Sequence, residues 1–460
     1  MKASTLSPEN QVAEALDPEP SAKEIFEKAR ARETALSRLL MAFITSGLVF
    51  MVFPGTLLGV WNLMQISGRE SAGLISQAWL QAHGHAQVFG WIGSFLLGIG
   101  FYSIPKLRGD ASGTIRGAWV CWAIWTTGVA LRWASTVYLW QWQILVPVAG
   151  ALELLAFLFF FQTISQHRPE HSGKGGMEPW AWVVLTATLG FLAALVVNLV
   201  GSISVALNGQ NPAFPHQFDQ RYLALLGWGF LVPYVWGFSA KWMRVFLGLK
   251  PLREKTLRAC LFVNVAGVIL AVAGIISVAI WFFVASTILS IVAIRVFEPS
   301  QQEAKTRGIH RSFPVFVRMA YGWLIAAALL GVAANFWDRS GGIWGASRHA
   351  LTVGFIAMMV LSVGQRILPA FAGMRLLWSP KLMFAGLLLL TLGCTLRVSC
   401  EILAYQNYAD WAWRTLPISA LLELSGLTVF AVNILGTFVL QPSHAFKEPM
   451  VVNAQQIATR

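Results

Sequence analysis

Stretches of about 20 apolar residues recur along almost the whole chain, and this feature restricts its fold more than any other. A helix of that length crosses a hydrocarbon core of about 30 Å, because each residue adds about 1.5 Å. A transmembrane β-barrel would need strands that alternate polar and apolar residues, and the sequence lacks that pattern. Only 12% of the residues are charged, about half the share in a soluble domain. The sequence therefore predicts an all-α, polytopic membrane protein.

The apolar stretches predict a twelve-helix transmembrane domain over residues 39–440. Residues 1–38 form a polar N-terminal tail with a short amphipathic helix, and residues 441–460 form a C-terminal tail. The predicted spans are 39–63, 78–105, 116–137, 141–165, 180–206, 219–240, 258–275, 278–297, 314–336, 346–368, 382–403 and 414–439. The division between spans 7 and 8 depends on the weak break Ala273-Gly274.

Basic residues gather in the N-terminal tail and in the loops after spans 2, 6, 8 and 10. The alternate loops hold little more than Arg69 and Arg339. Since Lys and Arg concentrate in cytoplasmic loops, both termini are predicted to be cytoplasmic. The net charge of +13 therefore reports membrane topology, and no nucleic-acid partner is expected.

The topology sorts the eight histidines into two groups. Four lie in polar cytoplasmic segments and are set aside as solvated: His167, His171, His310 and His444. Four lie at the outer ends of spans 2, 6 and 10 and are candidate metal ligands: His83, His85, His216 and His349. Neutral imidazole binds haem iron and other transition metals, and a haem with two histidine ligands needs two helices that present them at matching depth. Spans 2 and 10 offer that arrangement, because His85 and His349 each lie about 10 Å from the start of their helices and could meet across the bundle. Each histidine could instead bond a neighbouring carbonyl at the interface.

The first two histidines cannot serve the same site, because His83 and His85 are about 200° apart on a helix. The His83 side continues with small or polar residues, Gln87, Gly90 and Ser94. This pattern favours His83 as the inward-facing residue, and it leaves open that His85 serves a second site.

Three arginines and two carboxylates in the spans are further candidates. Arg132, Arg348 and Arg397 lie toward the same face as the histidines, where they could bind haem propionates or extend to the interface. Glu153 and Glu423 fall near mid-membrane, either as protonated residues bonded to a neighbour or as steps of a proton path. The sequence shows no nucleotide-binding motif.

Two segments carry a resemblance to the NnrS family of bacterial membrane proteins. The first is His83-Gly84-His85, followed by Phe89-Gly90, Gly98 and Pro105. The second is Arg348-His349-Ala350-Leu351-Thr352-Val353-Gly354, followed by Met358, Leu361 and Arg366. The chain departs from the family's pattern at Ala86, where the family often has Glu, and at 369–373, where the family has Gly-His-Thr-Gly-Arg. With these departures the chain lacks a carboxylate and a histidine that could bind copper.

The resemblance implies a multi-pass protein of the bacterial cytoplasmic membrane, surrounded by lipid, that binds non-covalent haem b and leaves copper open as a second metal. It also implies a role in handling nitric oxide and nitrosative stress in denitrifying bacteria. Carried over, His83, His85 and His349 would be the haem or metal ligands. Two alternatives stay open: a permease with a polar His and Glu pathway, and a quinol-linked electron-transfer cytochrome.

A more distant resemblance is to the catalytic subunit of haem-copper oxidases and nitric oxide reductases. Those proteins carry ligand histidines on helices 2, 6, 7 and 10. In this chain span 7 offers only Cys260 and Asn264. The complete binuclear centre is missing, so reduction of oxygen or nitric oxide of that type is not expected.

Overall fold

The computed structural model describes residues 22–68, 76–107, 115–165 and 177–443. These residues form twelve long helices, named α1 to α12 in chain order. Their bounds are α1 (22–67), α2 (77–107), α3 (Ile115–Tyr138), α4 (Trp142–Ser165), α5 (Pro179–Asn208), α6 (His216–Leu247), α7 (Glu254–Val272), α8 (Ile276–Ile294), α9 (Phe313–Trp337), α10 (Gly342–Phe371), α11 (Pro380–Tyr405) and α12 (Trp411–Leu440). The described residues contain no strand, so the predicted polytopic helix bundle is confirmed.

Eleven of these helices are long and apolar enough to cross a membrane. The exception within the described ranges is α3, which corresponds to the third predicted span. Arg116, Arg132 and several tryptophans lower its hydropathy, and it nevertheless packs between its neighbours α2 and α4. The chain is thus a multi-pass membrane protein whose helices follow the predicted order.

The helix boundaries differ from the predicted spans mainly at the N-terminal end. The amphipathic helix predicted in the tail is continuous with span 1, because no glycine or proline lies between Ala22 and Phe53 except Gly47, inside the apolar part. The predicted break between spans 7 and 8 is confirmed. Gly274 there has φ +91°, a conformation that favours glycine. Residues 1–21 and 444–460 lie outside the described part of the tails.

Consecutive helices pack side by side, and α12 returns to pack against α1. The helix α2 lies inside this arrangement, since no residue from Ala78 to Ile104 is exposed. Stacked aromatic rings fill much of the core, such as Phe191 on Phe230 with centroids 4.1 Å apart. Close packing of this kind holds helices together in a membrane, where the hydrophobic effect does not.

Four helices widen into π-helix near their middle. These segments are Met51–Leu57 in α1, Ala86–Gly93 in α2, Leu225–Leu231 in α6 and Ala350–Ala357 in α10. The backbone carbonyls displaced from regular helical bonds find side-chain donors, as when Trp133 Nε1 donates to Pro54 O and Asn264 Nδ2 donates to Trp228 O. Such segments are frequent at functional sites. In α2 and α10 the widened segment begins directly after His85 and His349.

Candidate haem site between α2 and α10

The structure brings His83 on α2 and His349 on α10 together. The two imidazoles are close enough to act on one another electrostatically, and Arg397 on α11 acts on both. The depth argument from the sequence paired His349 with His85, whereas in the structure His85 is bonded to Glu153 and it is His83 that acts on His349.

Both histidines keep part of their surface accessible. Although α2 is enclosed by other helices, His83 and Gly84 are partly accessible, and a Cβ atom added at Gly84 would meet no atom within 4 Å. On α10 the His349 side chain is 29% accessible. Neither ring is therefore fully covered by protein atoms.

The His83 ring is oriented by α1. Its Nδ1 lies 2.8 Å from the Gly55 carbonyl oxygen, and because a carbonyl can only accept, Nδ1 carries the proton. The ring also packs on Gly59, where an added Cβ would lie 2.5 Å from His83 Cε1. This tautomer leaves the Nε2 lone pair unprotonated. Histidine ligands of metals are commonly held in this way, with the second nitrogen bonded to a carbonyl or carboxylate.

The second ring, His349, lies beside a carboxylate. Its Nδ1 is 3.8 Å from Oε2 of Glu401 on α11. The Glu401 carboxylate packs on Gly345, where an added Cβ would lie 2.1 Å from Oε1.

Buried Arg397 has hydrogen-bonding capacity to spare. Its Nη2 is 3.4 Å from Glu401 Oε1, whereas its Nε and Nη1 have no partner. A buried donor without an acceptor costs about 1–3 kcal/mol. The site is therefore built for a further acceptor beside the two histidines, and a haem propionate is an acceptor of this kind.

Two other predicted residues form a separate buried cluster. His85 Nε2 lies 2.8 Å from Glu153 Oε1 on α4, and Asn198 Nδ2 on α5 donates to Glu153 Oε2 at 3.2 Å. Arg132 on α3 donates to Ser202 Oγ. His85 thus faces α3, α4 and α5, and Arg132 lies on that same side of α2. Both are away from the pair formed by His83 and His349.

The last two predicted residues lie near the N-terminal end of α6. Arg348 interacts electrostatically with Asp219 and Glu401. His216 is exposed at the first residue of α6, where its Nε2 is 2.8 Å from Gln220 Nε2. The described interactions of His216 lead to Gln220 and Asp219 and not to His83 or His349.

The side chains of the site fit haem better than copper. Two imidazoles with an unsatisfied arginine suit a haem with two axial histidines. Within the described ranges no three His, Cys, Asp or Glu side chains converge as a metal ion would require. All four cysteines are buried and free. The residues present therefore fit haem and do not fit a copper ion held by three or more side chains.

Sequence reasoning missed two residues of these clusters, Glu401 and Asn198. A signal for Glu401 exists, because it follows Arg397 by four residues in the same predicted span and must share its helix face. Asn198 is a polar residue at the centre of an apolar span, which is also a general indication of a site.

Comparisons with known proteins agree with this architecture. One solved structure, the cryo-EM structure of a haem-copper terminal oxidase dimer, superposes with a TM-score of 0.62 at 11% sequence identity. The match covers 88% of this chain and 84% of that chain, and at this identity it establishes the fold alone. None of the curated proteins matches the sequence significantly. A family described as a domain of unknown function, DUF8744, matches residues 183–434. That stretch is more than half of the chain and includes His349, Arg397 and Glu401, so this protein belongs to the DUF8744 family.

Proposed function

We propose that the protein is a membrane haem protein in which His83 and His349 are the axial ligands of one non-covalent haem b. The observation that carries the proposal is that these imidazoles, on α2 and α10, lie close enough to act on one another electrostatically, with His83 Nε2 left unprotonated by the bond of Nδ1 to Gly55. The fold shared with a haem-copper terminal oxidase supports it.

The surrounding residues each contribute to holding the cofactor. The Gly55 carbonyl fixes the His83 tautomer, and Glu401 lies beside His349 Nδ1. Arg397 offers Nε and Nη1 to a propionate, a charge-assisted bond about twice as strong as a neutral one. When bound, the haem would supply one-electron redox chemistry and affinity for nitric oxide.

We further propose that this site acts in nitric oxide and nitrosative-stress handling in a bacterial cytoplasmic membrane. The support is the resemblance of two segments to the NnrS family, His83 to Gly98 and Arg348 to Gly354. A small neutral gas reaches a site within the bundle through lipid, without a polar channel. Copper has no place in the proposal, because the described residues do not fit it.

Electron transfer linked to a membrane quinol is the second candidate function. Its specific support is that two imidazoles are available to the haem, and if both bound the iron, a gas would have to displace one of them. Bis-histidine coordination of this kind suits electron transfer.

One experiment tests the haem proposal directly. The full-length protein, purified in detergent, should show a Soret band and a low-spin α band. His83→Ala and His349→Ala should each abolish or shift these bands, whereas His216→Ala and His310→Ala should leave them unchanged. Supplying imidazole to His349→Gly should restore the low-spin spectrum. A colourless wild-type protein, or an unchanged spectrum in His349→Ala, would reject the proposal.

A further inference from the structure

One face of α11 carries a ladder of residues that runs from its C-terminal end, which is predicted to lie at the outer surface, to the middle of the helix. Gly393, Arg397, Glu401 and Tyr405 follow one another at intervals of four residues, so they share a helix face. The ladder rises about 18 Å, at about 1.5 Å for each residue. Its outer end is partly exposed at Tyr405, and Asp338 of the α9–α10 loop acts on Glu401 electrostatically.

Glu423 of α12 completes the inner end of this ladder. It occupies the place where Gly393 lacks a side chain, because an added Cβ there would lie 2.7 Å from Glu423 Cγ. The carboxylate is buried, and Arg397 and Glu401 both act on it electrostatically. The ladder thus alternates acid, base and acid from mid-membrane outward.

Two carboxylate oxygens of the ladder accept no hydrogen bond. Glu401 Oε2 and Glu423 Oε1 are buried without a hydrogen bond. A haem propionate cannot satisfy them as it could satisfy Arg397, since it is itself an acceptor. Buried carboxylate oxygens of this kind need a proton or ordered water. Two buried carboxylates also outnumber the single arginine between them.

We infer that Glu423 takes up one proton from the outer aqueous phase, along this ladder, when the haem iron is reduced. The inference rests on the proposed haem site. A one-electron donor such as a membrane quinol reduces ferric to ferrous iron, and one proton binds the Glu423 carboxylate, so that the net charge of the interior is unchanged. An uncompensated added charge would be costly in a medium of low dielectric constant.

The packing below Glu423 favours the outer face as the proton source. One turn beyond it, α11 and α12 touch at Gly386 and Gly426, where an added Cβ on Gly426 would lie 2.9 Å from the Gly386 oxygen. The next buried residues of α12 are the apolar Leu427 and Phe430. No room for water separates these two helices toward the inner side at this level.

The groups that act on Glu423 all belong to α11. They are Arg397, Glu401 and Cys394. The Leu58–Ser67 segment of α1 packs on α12 and carries no titratable side chain. The 358–371 segment of α10 also contacts α12. Its one charged residue, Arg366, is near its end and donates to the Arg307 carbonyl.

The test is a redox titration of the haem in the purified full-length protein across the neutral pH range. In the wild type the midpoint potential should fall by about 59 mV for each pH unit, the slope for one proton taken up with each electron. Glu423→Gln should keep the absorption spectrum and lose most of this slope. Glu153→Gln, which alters an equally buried carboxylate on the other side of α2, should keep the slope.

Infrared difference spectroscopy provides an independent readout. Reduction should produce a carboxylic-acid carbonyl band that shifts in heavy water and is absent from Glu423→Gln. A coloured protein with a pH-independent potential, or without this band, would overturn the inference and leave the haem proposal standing. A colourless protein would overturn both.

Discussion

Nε2 of His85 lies 2.8 Å from Oε1 of Glu153, with both side chains buried on the side of α2 that faces α4. His83, two residues earlier, bonds instead to the Gly55 carbonyl of α1. One short motif on α2 therefore divides its two imidazoles between two environments. His85 is anchored by a carboxylate, and His83 keeps one unprotonated nitrogen.

The two histidines of α2 should accordingly respond differently to mutation. We expect His83→Ala to remove the low-spin haem spectrum and His85→Ala to retain it, because His83 has an unprotonated Nε2 and acts on His349, whereas His85 Nε2 is bonded to Glu153. Absorption spectra of the ferric and ferrous proteins provide the measurement. The reverse pattern would assign the ligand role to His85 and show that the bond to Glu153 is broken when haem binds.

Removing Glu153 should destabilise the protein. Glu153→Ala leaves His85 Nε2 and the Asn198 amide buried without their acceptor, a loss of about 1–3 kcal/mol. Thermal unfolding in detergent should show a lower midpoint. The matched control is Glu254→Ala, whose ion pair with Arg258 is exposed at 3.9 Å and should contribute almost nothing.

A double-mutant cycle of His85→Ala with Glu153→Ala measures the pair itself. The two effects should be less than additive, because each single change already breaks the same bond. Additive losses would mean that the two side chains do not interact in the folded protein.

The orientation of the chain in the membrane gives a third prediction. Reporter fusions near Lys250, between α6 and α7, should report the cytoplasm, and fusions near Gly341, between α9 and α10, should report the outside. The reason is the concentration of Lys and Arg in the loops on the Lys250 side. An external Lys250 loop would place the histidine site and the α11 ladder near the inner face instead.

An ion-pair cluster in the loop after α8 predicts a pH effect on stability. Hydrogen bonds from Arg295, with a further contribution from Lys250, lower the pKa of Glu298 to about 2. A carboxylate with a lowered pKa stabilises the folded state above its unfolded pKa of about 4.3. This contribution is lost as the pH falls toward about 2.

Thermal unfolding of the wild type and of Glu298→Gln at several pH values tests the effect. The difference between their midpoints should be present at neutral pH and disappear in acid. Glu254→Gln should show a much smaller difference, because its ion pair is exposed and longer. A midpoint difference that persists in acid would point to a role of the Glu298 side chain other than its charge.

The proposed role in nitrosative stress predicts a growth phenotype. A deletion strain should grow worse under nitric oxide than its parent, and a wild-type copy should restore growth. A His349→Ala copy should fail to do so, since it lacks one haem ligand. Full rescue by that copy would separate the phenotype from haem binding. Normal growth of the deletion strain would favour the electron-transfer function.

The number and order of the helices could be predicted from the sequence because a membrane leaves the backbone few choices. Each crossing must satisfy its own N–H and C=O groups, so an apolar stretch of sufficient length becomes a helix. The same reasoning located the break at Gly274. It did not show that α1 extends back to Ala22. The hydropathy changes where the polar tail meets the apolar span, but the helix continues through this point.

Part of the candidate site was also available from the sequence. The 3.6-residue period separates His83 from His85 by about 200°, and hydropathy places His349 at a matching depth on span 10. The depth argument paired His349 with His85, whereas the structure has His83 close enough to act on His349 and His85 bonded to Glu153. Whether these residues bind haem stays a prediction.

Only the tertiary structure decided which surface each side of a helix meets. Periodicity gives the angle between two residues but not the rotation of the helix about its own axis, which is set by packing against its neighbours. Gly59 makes room for the His83 ring, Gly345 for Glu401, and Gly393 for Glu423. Each of these fits joins residues far apart in the chain, and helical periodicity within one segment contains no information about such contacts.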